Sequence, residues 1–161
     1  MWVALSRMLP GVAACVLTVF ANTAFAQGYQ TTLQISPPGG GRCVDVPNRQ
    51  FVQGQGLQML DCDNSPAQLF TYDPTAMRLS IGGLCVDAAG GNPGDLVRLW
   101  PCDGGPRQVW KSEPKGNFTK LAAPNGMCFD IRYGSTASGA PLQGWNCGDA
   151  EPNQLWSLQR K

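Results

Sequence analysis

Residues 126–156 read GMCFDIRYGSTASGAPLQGWNCGDAEPNQLW, and the order of motifs in this stretch decides how the whole chain is organised. A Cys-x-Asp tripeptide comes first, a second cysteine follows, and a Gln-x-aromatic triplet ends the stretch. The same order occurs three times, because Cys-x-Asp tripeptides begin at Cys43, Cys85 and Cys128, which lie 42 and 43 residues apart. A repeat of this length is typical of a symmetric architecture built from one supersecondary unit.

The other members of the pattern keep the same register. Each repeat has one further cysteine and one triplet, and these are Cys62, Cys102 and Cys147, then Gln68-Leu69-Phe70, Gln108-Val109-Trp110 and Gln154-Leu155-Trp156. We therefore divide the chain into repeats over residues of about 29–73, 74–115 and 116–161.

The first 26 residues have the layout of a secretory signal peptide. Arg7 precedes an apolar run over residues 12–20, and Ala24-Phe25-Ala26 precedes Gln27. This run is shorter than the roughly 20 residues that a membrane span needs, so we expect a cleaved segment over residues 1–26 and no membrane insertion. A lipoprotein acylated at Cys15 is the alternative. We expect a secreted or periplasmic protein.

The composition of the remaining 135 residues fits one disulfide-bonded domain. Removing residues 1–26 from the 161 takes away Arg7 and Cys15, which leaves 11 Lys/Arg, 11 Asp/Glu and six cysteines. A neutral chain lacks the cationic surface that dominates nucleic-acid binding, so we expect no nucleic-acid partner. An even number of cysteines in an oxidising compartment indicates disulfides.

The residue pattern after the signal segment predicts an all-β fold. Glycine and proline recur in every repeat, as in Gly90-Gly91-Asn92-Pro93-Gly94, and no window of ten or more residues shows helical apolar periodicity. Short runs such as residues 57–61, 97–101 and 142–146 are typical of strands.

The cysteines are expected to be structural. Six cysteines allow several pairings, but a threefold chain most simply forms the same bond three times. The predicted disulfides are Cys43–Cys62, Cys85–Cys102 and Cys128–Cys147. Each bond closes a loop, and the chain-entropy model predicts that this closure stabilises the folded state by roughly 3 kcal/mol. A metal site is a poor alternative, because the spacings lack a Cys-x-x-Cys pair and the chain has no histidine. We expect no cofactor.

The Gln-x-aromatic triplets predict a core and a set of buried amides. Phe70, Trp110 and Trp156 occupy equivalent positions and are expected to converge on the symmetry axis. A buried glutamine amide is costly without partners, so each glutamine must hold a turn, a neighbouring backbone group or a ligand hydroxyl.

These motifs resemble the ricin B-type lectins over essentially all of residues 29–161. The resemblance implies a β-trefoil of twelve short strands, with six in a barrel and six in a hairpin cap. It also implies a shallow sugar site formed by the Cys-x-Asp aspartate, a Gln-x-aromatic pair before the second cysteine, and the Asn-Gln that opens the Gln-x-Trp motif.

The third repeat keeps every member of that implied site. Its carbohydrate-binding candidates are Asp130, Gln143, Trp145, Asn153 and Gln154. The aspartate and amides can bond sugar hydroxyls, while a flat ring can cover the C–H face of a pyranose. Alternatives are a core role for Trp145 and local backbone capping by the aspartate. Arg132 and Tyr133 are further candidate contacts, or residues of a solvated loop.

The second repeat is a possible second site of altered preference. It keeps Asp87, Trp100 and Gln108, but has Arg98 and Arg107 where the family has glutamine and asparagine. Arginine has no acceptor atom, so it can donate to a sugar but cannot receive a hydroxyl proton. The alternative is that an arginine pairs with Asp87 and closes the pocket.

The first repeat is expected not to bind sugar. It keeps Asp45, Gln58 and Gln68 but has Leu60 at the aromatic position and Ala67 in place of asparagine.

We expect a binding protein and not an enzyme. The chain has no histidine for a Ser-His-Asp or Cys-His system, and the repeat forces no pair of carboxylates together. The predicted function is a secreted lectin for a galactose-like sugar or a polysaccharide. The alternative is a trefoil that binds protein and not sugar, as an inhibitor or a toxin delivery subunit joined to a non-covalent partner.

Overall fold

The computed structural model of the protein describes residues 30–149 and 151–161. The predicted signal peptide over residues 1–26 and the alternative acylation site at Cys15 lie outside these residues. Within the described part, no helix is long and apolar enough to span a membrane.

The described residues form twelve short strands, four in each predicted repeat. The all-β prediction is therefore confirmed. The strands are β1 (Thr31–Ser36), β2 (Arg42–Asp45), β3 (Gln58–Asp61), β4 (Phe70–Asp73), β5 (Arg78–Ile81), β6 (Leu84–Asp87), β7 (Arg98–Trp100), β8 (Lys111–Lys115), β9 (Phe118–Ala122), β10 (Met127–Ile131), β11 (Leu142–Asn146) and β12 (Ser157–Arg160).

Six strands close into a barrel in the order β1, β4, β5, β8, β9 and β12. Antiparallel ladders join β1 to β4, β4 to β5, β8 to β9 and β12 to β1. Two single contacts complete the ring, since the Trp110 N–H donates to the Met77 carbonyl and Thr119 bridges Trp156. Closure removes the exposed sheet edges on which other chains could pair.

The remaining strands form three hairpins, β2–β3, β6–β7 and β10–β11. Their second strands and the turns before them are hydrogen-bonded around the axis, as shown by bridges from Gln58 to Pro141, from Gly56 to Arg98 and from Leu96 to Gln143. The fold is thus a β-trefoil, and each hairpin touches the hairpins of both other repeats.

The triplet aromatics meet in the core, as the sequence predicted. Phe70, Trp110 and Trp156 are fully buried, and Phe129 lies between the two tryptophans with ring centroids 5.4 and 5.0 Å away. Each indole N–H donates to the middle residue of its own Cys-x-Asp motif, at 2.9 Å to the Val86 and Phe129 carbonyls. The barrel aromatics therefore also anchor the hairpins.

All three predicted disulfides are present, as Cys43–Cys62, Cys85–Cys102 and Cys128–Cys147. Each joins the first strand of a hairpin to the segment just after the second strand.

We expect Trp156→Phe to lower the free energy of unfolding by about 1–3 kcal/mol, because it removes the indole bond to Phe129 and leaves a gap in the core. Chemical denaturation of the disulfide-bonded protein measures this change. The control is Trp145→Phe at a half-exposed ring, where a change within about 0.5 kcal/mol is expected. Equal losses in the two variants would contradict an anchoring role for the Trp156 indole.

Candidate functional site

Each repeat places one aspartate at or near the end of the first hairpin strand, facing the second strand. Asp45 pairs with Gln58, Asp87 with Arg98 and Asp130 with Gln143 across the antiparallel ladder. All three aspartates are buried. Their carboxylates accept hydrogen bonds from side chains, so local capping of backbone N–H groups does not explain them.

The triplet glutamines lie beneath these carboxylates and make the same bonds in every repeat. The Gln154 amide donates to Asp130 Oδ2 at 3.1 Å and to the Asn146 carbonyl at 2.9 Å, and it accepts the Gly148 N–H at 3.0 Å. Gln68 and Gln108 repeat this arrangement with Asp45 and Asp87. All three glutamines are fully buried. Their amides therefore fix the carboxylate and both sides of the second cysteine.

In the third repeat, neutral amides surround the buried Asp130 carboxylate. Gln143 donates to Oδ1 at 2.8 Å, while Asn153 and Gln154 donate to Oδ2. The structure thus brings together four of the five predicted residues of this site at one carboxylate, and Trp145 follows two positions after Gln143 on β11.

The pKa of Asp130 is raised above its ordinary value of 3.8, chiefly because the carboxyl is buried. Bonds from Gln143, Gln154 and Asn153 favour the ionised form and offset part of this rise, whereas the nearby Glu151 charge adds to it. Among the described residues, the hydrogen bonds to this carboxylate come from neutral amides.

A cavity of about 580 Å³ opens above this cluster. Trp145 forms part of its wall with 43% of the side chain exposed, so the core role considered for this residue is wrong. Arg132 and Tyr133 also line the cavity, and contact of either with a ligand stays a prediction. Tyr133 is 88% exposed and adopts a left-handed backbone conformation with φ of 58°.

Sequence reasoning missed one wall of the cavity. Pro93, Gly94 and Asp95, in the turn before β7 of the second repeat, line it beside Trp145. The sequence carries no signal for this contact, because it depends on how neighbouring hairpins meet around the axis.

The second repeat has a different carboxylate environment. Arg98 Nε lies 3.3 Å from Asp87 Oδ1, and Arg107 Nε lies 3.8 Å from Oδ2. The Arg98 guanidinium also stacks on Trp100, 3.9 Å from the ring centroid, in cation–π geometry. Both arginines therefore pair with Asp87, as the alternative interpretation of this repeat described, and Arg98 also covers a face of the Trp100 ring.

The first repeat keeps a smaller cavity of about 260 Å³ above Asp45. Gln58 donates to the carboxylate at 2.8 Å, and burial raises the pKa of Asp45. Leu60 and Ala67 line this cavity where the third repeat has Trp145 and Asn153.

A β-trefoil with a buried carboxylate, hydrogen-bonding amides and an exposed ring in an open cavity defines a carbohydrate-binding class of domain. The chain belongs to the ricin-type beta-trefoil lectin domain family, whose family model matches residues 31–156. The family supports carbohydrate binding as the general function of this domain.

One curated protein and several solved structures are also similar to this chain. Over 73 residues, or 45% of this chain, the sequence is 34% identical to Serine protease 1 of Rarobacter faecitabidus, and the match spans only 12% of that protein. The fold is similar to ThreeFoil, a designed threefold symmetric protein, with a TM-score of 0.72 and 21% identity over 79% of this chain and 96% of that one. It is also similar to a non-toxic homologue of type II RIPs from Momordica charantia, solved with α-methyl-D-galactoside, with a TM-score of 0.69 and 23% identity over 80% of this chain and 47% of that one.

The raised pKa of Asp130 gives a pH dependence of stability with a defined sign. The carboxyl binds a proton more readily in the folded state, so its contribution is present below pH 3.8 and is lost as the pH rises through the folded-state pKa. As the pH rises through this range, we therefore expect the unfolding free energy of the wild type to fall relative to that of Asp130→Asn. Urea denaturation between about pH 3 and pH 7 measures it.

Asp63→Asn is the control of opposite sign. The backbone N–H of Ser65 bonds the Asp63 carboxylate and lowers its pKa, so its contribution is lost as the pH falls. The same slope in both variants would contradict the assignment for Asp130.

Proposed function

We propose that the protein is a secreted lectin that binds a galactose-like sugar, alone or within a polysaccharide, at the third-repeat site. The observation that carries the proposal is the Asp130 carboxylate, which among the described residues is bonded by neutral amides and lies beneath an open cavity with an exposed Trp145. The three disulfides and the predicted signal peptide support secretion. We propose a binding role without catalysis.

The hydrogen-bonding capacity of the cluster suits vicinal hydroxyls. A carboxylate offers about four lone-pair sites, and amides occupy three at Asp130. The amide oxygens of Gln143 and Asn153 remain as acceptors for sugar hydroxyls. Because Asp130 is fully buried, a ligand hydroxyl meets these two amides first and reaches the carboxylate when one of them rotates aside.

Trp145 supplies the apolar half of recognition. The axial 4-hydroxyl of galactose leaves a continuous run of C–H groups on one face of the ring, and an exposed indole can cover that run. The Momordica charantia neighbour, solved with α-methyl-D-galactoside, supports a galactose-like ligand.

The other repeats lack one or both of these components. Asp87 is paired with two guanidinium groups and Trp100 is covered by Arg98, so neither a free acceptor nor a free ring face remains. The first repeat has a leucine at the ring position. We therefore propose one principal site for each chain, so that cross-linking of glycans requires a second copy or a partner protein.

We expect Trp145→Ala to weaken binding of methyl galactoside by about tenfold or more, because the C–H face of the sugar loses its platform. Isothermal titration calorimetry measures this loss, after a glycan array has compared wild type with Asp130→Ala. Trp100→Ala is the matched control and is expected to leave the affinity unchanged. If folded wild type binds no glycan on the array, the lectin proposal fails and the protein-binding trefoil takes its place.

We expect a second site to be recovered by removing its arginines. In an Asp130→Ala background, the double substitution Arg98→Gln and Arg107→Asn frees the Asp87 carboxylate and the Trp100 ring, so measurable binding of methyl galactoside should return. The same protein with Trp100→Ala added is the control and should stay inactive. Binding by the single Asp130→Ala variant, without the arginine changes, would contradict the closed state of this repeat.

A further inference from the structure

The third-repeat cavity is more than twice the volume of its first-repeat counterpart, at about 580 against 260 Å³. The smaller cavity is lined by residues of the first repeat alone, all between Asp45 and Ala67. The larger cavity adds Pro93, Gly94 and Asp95 from the second repeat. Residues 93–95, here called the neighbour loop, therefore extend this site beyond the unit that one repeat builds.

The neighbour loop is fixed to the strand that carries the sugar-binding side chains. The Gly94 N–H donates to the Gly144 carbonyl at 2.8 Å, and the Gly144 N–H donates to the Asp95 carbonyl at 2.9 Å. Leu96 then bridges Gln143. Because Gly144 lies between Gln143 and Trp145 on β11, the loop stands at a set distance from both, and a ligand need not order it on binding.

Gly94 places the loop beside the Trp145 ring with no side chain between them. A Cβ at this position would lie 3.5 Å from Trp145 Cζ3, and the residue has φ of +92°, which favours glycine. The indole thus lies next to the loop while part of the ring stays exposed. A sugar on the ring face has the neighbour loop beside it.

Asp95 gives this wall a free acceptor. Its Oδ2 accepts the backbone N–H of Asn92 at 2.9 Å and the Asn92 side-chain amide at 3.3 Å. Among the hydrogen bonds of the described residues, both that reach this carboxylate end on Oδ2, which leaves Oδ1 for a ligand hydroxyl. The exposed ring of Pro93 adds an apolar surface next to it.

We propose that the third-repeat site binds at least two linked sugar units, an inference that rests on the proposed lectin function. The first unit lies on Trp145 above Asp130. The second lies along the neighbour loop, where Asp95 Oδ1 accepts one of its hydroxyls and Pro93 contacts its C–H groups. The ligand class is then a neutral oligosaccharide with a galactose-like end unit, and the neighbour loop determines preference for the second unit.

The test compares methyl galactoside with a neutral galactose-ended disaccharide and tetrasaccharide by isothermal titration calorimetry. Wild type should bind at least one of the two oligosaccharides about tenfold more tightly than methyl galactoside. Asp95→Asn keeps an oxygen for the Asn92 turn but removes the charged acceptor, so it should weaken that oligosaccharide about three- to tenfold and leave methyl galactoside unchanged. Pro93→Ala should also weaken binding of the oligosaccharide and leave methyl galactoside unchanged, because the second sugar unit loses its contact with the proline ring.

The matched controls are Gln55→Asn and Gln53→Ala, at the equivalent positions of the first-repeat loop. Neither substitution should change the affinity for methyl galactoside or for the oligosaccharides. Equal affinities of wild type for methyl galactoside and both oligosaccharides, or equal losses for all ligands in both loop variants, would overturn the two-unit site and leave the lectin function standing. Absence of binding to all three ligands by folded wild type would overturn both proposals.

Discussion

The structure depends on a buried amide–carboxylate contact that occurs once in every repeat. Each triplet glutamine is fully buried and bonds the hairpin aspartate, together with backbone groups on both sides of the second cysteine. A buried amide without partners lowers the stability of the folded state by about 1–3 kcal/mol, so the fold has to supply partners for each of these glutamines. The disulfide then closes the same segment covalently, with roughly 3 kcal/mol from loop closure. The motifs keep the same order in all three repeats, and each repeat completes this one contact.

The equivalent buried carboxylates of the second and third repeats have different surroundings. At Asp87 two guanidinium groups neutralise the carboxylate, and the stacked Arg98 also occupies the aromatic face. At Asp130 the hydrogen bonds from the described residues come from neutral amides, and burial raises the pKa of this carboxyl. A charge held by neutral donors gains more from an added hydroxyl than one already paired with cations. The closed site differs from the open one by the two arginines that bond its carboxylate and by a shorter loop after the aspartate, since Arg98 is 11 residues from Asp87 while Gln143 is 13 residues from Asp130.

Much of the fold could be predicted because its determinants are local and repeated. The cysteine pairing, the burial of Trp110 and Trp156 and the hairpin carrying Asp130 all follow from motifs that recur in register. The position of Gln154 beneath the carboxylate was harder to predict from the sequence, because a buried polar side chain has several possible hydrogen-bond partners. The contact of Gly94 with Trp145 could not be predicted, since it joins residues of different repeats through the hydrogen-bonded cap and leaves no periodic trace.

Tyr133 combines a left-handed backbone conformation with an exposed aromatic ring at the rim of the third-repeat cavity. A bulky residue at positive φ is an outlier, and its φ of 58° is matched by 55° at Asn48 in the equivalent turn of the first repeat. Asparagine tolerates this conformation well, so the left-handed backbone belongs to the turn itself and not to the tyrosine. The tyrosine ring is 88% exposed at the rim of the cavity. Neither backbone preference nor core packing favours an aromatic residue there, and the contact that the structure gives the ring is with the Arg132 guanidinium, 5.2 Å from the ring centroid. Because the ring also lines the cavity, it offers an aromatic surface to a ligand in the proposed site.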